Sequence, residues 1–93
     1  MNSMMQLPEG DVGEYRLRLA RGERVTVLLR ELAAKYGVNR SILGFFIADL
    51  VTEQDLMAVQ LVWVWDLNQT GKGLTDEQLE DELRSSGVRF GPP

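Results

Sequence analysis

The sequence predicts a mainly α-helical fold, a compact bundle of four to five short helices. Three observations carry that expectation. Apolar residues recur at three- and four-residue steps over 23–36, the period of one helix face. Helix-start residues stand at Asn39, Thr52 and Thr75, types whose side-chain oxygen takes up a first-turn amide. The most apolar stretch, 55–67, keeps its pattern for longer than a typical strand. The alternative is an α+β domain with strands near 15–20 and 59–65.

Ninety-three residues make one domain and leave no room for a second core. The expected division is a flexible N-terminal arm over 1–13, a single helical domain over 14–86 and a tail over 87–93. Composition then narrows the chemistry. There is no cysteine and no histidine. Disulfides, thiolate nucleophiles and zinc–thiolate sites are therefore excluded, along with the usual general base near neutral pH. No enzyme activity, cofactor or metal is expected. The formal net charge is −4, unevenly spread: residues 1–48 hold seven Lys/Arg against five Asp/Glu, and residues 49–93 hold three against nine. An acidic chain neutralises phosphates poorly, although a local basic face can still do so. No apolar run reaches the ~20 residues of a membrane span, and MNSMMQLPEG lacks the regions of a secretory signal. The cytoplasm is the expected location.

In residues 1–13, Pro8, Gly10 and Gly13 predict a loose arm, with Met4, Met5 or Leu7 as points where it packs. Residues 14–22 are ambiguous. Tyr15, Leu17 and Leu19 alternate with Arg16 and Arg18 as in a strand, whereas Val12, Tyr15 and Leu19 make a helical stripe. Helix is favoured by Leu, Arg and Ala, with the arginines on a solvated face. Over 23–36, Val25, Leu28, Leu29, Leu32, Ala33 and Tyr36 form one face. Gly37 is placed to end that helix in a left-handed cap, and Asn39 to cap the next.

Ala33 lies four places before Gly37, with Leu32, Tyr36 and Val38 around them, and Leu43 and Phe46 follow six and nine residues past the glycine. On these residues the stretch 29–50, under a quarter of the chain, resembles the helix-turn-helix superfamily of transposases, recombinases and small repressors. The resemblance implies two closely crossing helices sharing a core, the second presented to DNA, with Lys35, Arg40 and Ser41 as the DNA-contact candidates. The outward face of that second helix is Arg40, Ser41, Gly44, Phe45 and Ala48. A base-reading helix needs Arg, Lys, Asn or Gln there, and this one offers a single arginine. Gly44 and Ala48, four apart beside Phe45, instead suit the close approach of another helix.

Thr52 with Asp55 is a capping signature for the apolar segment that follows. Trp63 and Trp65 lie about 200° apart on a helix but share a face on a strand. With both sides apolar, the segment must be buried centrally or lie in a subunit interface. Residues 68–73 are a turn, and Thr75 with Gln78 forms a capping box for a last helix. Leu74, Leu79 and Leu83 are its apolar stripe, with Glu80, Asp81, Glu82 and Arg84 solvated. Phe90 is the tail residue able to dock. Asp66 to Glu77 superficially follows a calcium-loop pattern, but of its ligand positions only the two ends bring a carboxylate, so an ordinary capped turn is expected.

Function is expected to rest on macromolecular contact. The favoured expectation is a small non-catalytic protein-interaction module, a homodimer or an adaptor, with Gly44, Phe45, Ala48, Trp63 and Trp65 at the interface. The alternative is a sequence-specific DNA-binding regulator acting through Lys35, Arg40 and Ser41.

Overall fold

Five helices follow one another along the chain: α1 Glu9–Ala20, α2 Val25–Tyr36, α3 Arg40–Leu50, α4 Leu56–Trp63 and α5 Asp76–Ser85. The computed structural model describes residues 6–52 and 56–92. Among them there is no strand, only two isolated bridges, Val51 with Phe90 and Trp65 with Leu74. The fold is a mainly α bundle of short helices. No helix among the described residues is long and apolar enough to cross a membrane.

α1 settles the ambiguity over 15–20 in favour of helix. Tyr15 is buried, Val12 and Leu19 pack partly against the core, and Leu17 is left exposed on the other side. The helix also starts inside the span expected to be an arm. Pro8 stands at the N-cap position, and its carbonyl accepts from the amides of Asp11 and Val12 at 2.9 and 3.1 Å. Glu9 and Asp11 suit the positive end of the helix. Tertiary contacts hold this early start against Gly10 and Gly13. Leu7 is buried and its amide donates to Asp49 at 2.9 Å, while Lys35 and Tyr36 of α2 both donate to Asp11. The Tyr36 hydroxyl, followed by the Lys35 ammonium, holds the Asp11 carboxyl below its ordinary range. Met4 and Met5 lie outside the described residues.

The α1 arginines are not a solvated face. Arg16 reaches the backbone oxygens of Asp49 at 2.8 Å and Val51 at 3.4 Å. Arg18 grips both oxygens of Glu23, also donates to Glu31, and covers the Tyr15 ring at 5.2 Å. Tyr15 donates to Glu31 as well, at 2.8 Å. Burial and that carboxylate push its hydroxyl above the ordinary tyrosine value.

α2 and α3 are joined by three residues, and the turn has the expected chemistry. Gly37 is left-handed at φ 62° and Asn39 accepts from the Ile42 amide at 3.1 Å. Leu32, Leu43 and Phe46 are fully buried between the two helices, with Tyr36 edge-on to Phe46 at 6.0 Å. α3 is the hub: it touches α1, α2 and α4, and its contact with α4 is the most extensive in the molecule. α5 closes the bundle against α2 and α4, burying Leu79 and Leu83.

The apolar stretch is helix first and extended afterwards. α4 ends at Trp63, and Trp65 lies in the bridge to Leu74. The Leu74 amide donates to Val64 and the Asp66 amide donates to Leu74, both at 2.8 Å. Gly73 permits this approach, because a Cβ there would stand 2.5 Å from the Val64 oxygen. Of the cap expected for α4, Glu53 to Asp55 lie outside the described residues, and Thr52 turns to the tail, donating to the Arg89 oxygen. α5 has its full capping box at Thr75 and Gln78.

Candidate interaction surface

The outward face of α3 is where the sequence concentrates its candidate residues, and α4 lies across it. Gly44 is the contact point. A Cβ at Gly44 would stand 2.2 Å from Trp63 Nε1, so the glycine is what lets the indole lie on the helix. The Trp63 indole donates to the Ser41 carbonyl at 3.1 Å and meets Phe45 edge-on at 5.9 Å. The helix that Gly44 admits is thus the chain's own α4. Gly44 is buried, a correction to its expected place at an interface, and Ala48 is half-buried against the core.

Trp65 is a second correction. It is fully buried, because the chain leaves the helix after Trp63 and the bridge to Leu74 turns the next tryptophan inward. Its indole donates to Asp76 at 2.9 Å, and the Arg30 guanidinium covers the ring at 4.7 Å. Arg30 also donates to Asp76 at 2.6 Å and to the Leu67 oxygen at 2.6 Å. Arg30, helped by the Trp65 indole, holds the Asp76 carboxyl below its ordinary range.

The DNA-contact candidates are engaged within the molecule. Lys35 pairs with Asp11 at 3.1 Å on the α1 side. Arg40 is exposed but donates to the Trp65 oxygen at 3.0 Å. The Ser41 side chain is exposed, and its carbonyl is taken by Trp63. Asn39, Arg40, Ser41, Asp66, Asn68 and Lys72 line a shallow polar depression of about 410 Å³. The Asp66 carboxylate serves its own loop, accepting from the Thr70 amide at 2.8 Å and the Gly71 amide at 2.9 Å. Those amides, Thr70 first, hold it below the ordinary carboxyl range. This is a capped turn. No group of three Asp or Glu residues among those described converges to hold a metal ion.

Val27 and Leu17 are exposed singly on α2 and α1, whereas the outer face of α4 groups several exposed apolar side chains. Leu56 is 72% exposed, Val64 51%, Met57 48% and Trp63 40%. Val64 lies one residue past α4, but its amide still donates to the Gln60 oxygen at 3.2 Å; at about 100° per residue the four side chains then span an arc of roughly 120°, with Gln60 at its centre. Ala58, Val59 and Val62 occupy the buried side. Phe45, half-buried beside Trp63, extends the apolar area onto α3. Of the expected interface residues, Phe45 and Trp63 lie on this surface. Leu56, Met57 and Val64 were not singled out from the sequence, although Gln60, the one polar residue among them, marks the side that remains uncovered. Compared with known proteins, the chain matches no family model, no curated protein and no solved structure.

Proposed function

We propose that the chain is a small non-catalytic protein-interaction module whose contact surface is the outer face of α4, extended by Phe45. The observation that carries this is the exposure of Leu56 and Trp63 on one arc of a helix that holds no charged residue, continued by Val64 just past its end. Grouped exposed apolar side chains of this kind mark sites of association. Groove reading by α3 is the weaker proposal, since α4 lies over the face that would enter DNA and Arg40 is engaged with Trp65. The cytoplasm is the proposed setting.

The test is a pull-down from a lysate of the source cell, with the intact chain and its Val64→Glu variant as parallel baits. The expected result is a stoichiometric protein, an untagged copy or a different chain, retained by the first bait and lost by the second. Retention of the same set by both baits, or of nucleic acid alone, would overturn the proposal.

A further inference from the structure

We infer that the partner on this face is a second copy of the chain, its α4 lying antiparallel to the first across a two-fold axis at Gln60. The inference rests on the interaction module proposed above and names its occupant. A two-fold contact is isologous, so every group on the axis must be complementary to itself. Gln60 is exposed, sits at the middle of the apolar arc and is the one polar side chain of α4. A carboxylate or an ammonium there would face its own charge. An amide carries both a donor and an acceptor, so Gln60 can bond to Gln60 of the partner subunit.

The spacing of the apolar residues has the same symmetry. Leu56 and Val64 are each four residues from Gln60, and Met57 and Trp63 are each three. Antiparallel pairing about residue 60 therefore sets Leu56 against Val64 of the partner subunit and Met57 against Trp63 of the partner subunit. Charge also permits a second copy. The chain is net −4, yet residues 56–65 contain no charged side chain, so the acidic excess is kept off the contact.

The four side chains expose on the order of 400 Å², within the ~300–600 Å² of the largest, often functional, patch on a monomer. Two such faces, with Phe45 at the rim, fall at the low end of specific interfaces, below about 1,200 Å² in total. An interface of that size belongs with the weak, transient contacts.

Sedimentation equilibrium of the intact chain from about 10 μM to 1 mM tests the pairing. The mass is expected to rise from 10.5 kDa towards twice that value. Val64→Glu and Gln60→Glu change exposed positions and should keep the far-UV circular dichroism of the parent while weakening self-association at least tenfold. Because the chain has no cysteine, Gln60→Cys should give a disulfide-linked dimer on mild oxidation, and Ser85→Cys on α5 should not. A chain that remains at monomer mass to 1 mM overturns the second copy; if the pull-down still returns a Val64-dependent partner, the broader module stands without it. A dimer that neither glutamate weakens, or that Ser85→Cys links as readily as Gln60→Cys, places the contact elsewhere and overturns the pairing.

Discussion

Glu80 is the residue whose role differs most from its surroundings. It lies in an acidic run on α5, where side chains ordinarily serve solubility, and the sequence places it in solvent. Instead its Oε2 accepts from both the amide and the hydroxyl of Thr26, each at 2.8 Å. α2 has no side-chain cap of its own at Arg24, so a carboxylate from another helix satisfies its first turn. Glu80→Ala would leave the buried Thr26 without that acceptor, at a cost of about 1–3 kcal/mol. Urea unfolding of the two proteins measures the loss, and equal midpoints would show that α2 needs no such cap. Asp76 works similarly between Arg30 and Trp65, and its depressed carboxyl gives a definite sign. Its contribution is complete above the unfolded value near 4 and declines as pH falls through the lower folded value. Asp76→Asn should therefore lower stability at neutral pH and flatten the loss of stability below about pH 4. An unchanged acid limb would mean that other carboxylates set it.

At the scale of the helices, Gly44 fixes how α3 and α4 meet. Gly44→Ala would put a methyl group where the Trp63 indole lies, driving the ring outward and breaking its bond to Ser41. A cost of about 1–3 kcal/mol is expected from such overpacking, with a displaced Trp63 indole resonance in the NMR spectrum. An unmoved resonance would contradict the close approach. What was legible in the sequence follows from range. Gly37, Asn39 and Thr75 act within three or four residues of themselves, so α2, α3 and α5 could be read locally. The start of α1 depends on Tyr36 and Lys35 far along the chain, and the break between Trp63 and Trp65 depends on Leu74. Glycine at 44 correctly indicated a close helix, but its spacing cannot distinguish a helix of the same chain from one of a partner.

For the whole molecule, part of the uneven charge of the two halves is met across the bundle. Arg24 lies 3.7 Å from Glu77, and Arg30 meets Asp76, so basic α2 and acidic α5 face each other. A different long-range feature joins the two ends of the described chain. Leu7 donates to the Asp49 side chain, Gly91 donates to the Leu50 oxygen, and Thr52 donates to the Arg89 oxygen. Arg16 lies between them, against the carbonyls of Asp49 and Val51. A Cβ on Gly91 would stand 2.5 Å from its guanidinium carbon. Segments more than eighty residues apart in sequence therefore share one anchor and should open together as a single cooperative unit. In hydrogen exchange, the amides of Leu7, Thr52 and Gly91 are expected to show matched protection. Arg16→Ala should speed all three together while leaving the amides of α2 near their original rates. Independent rates would mean that each end is released separately.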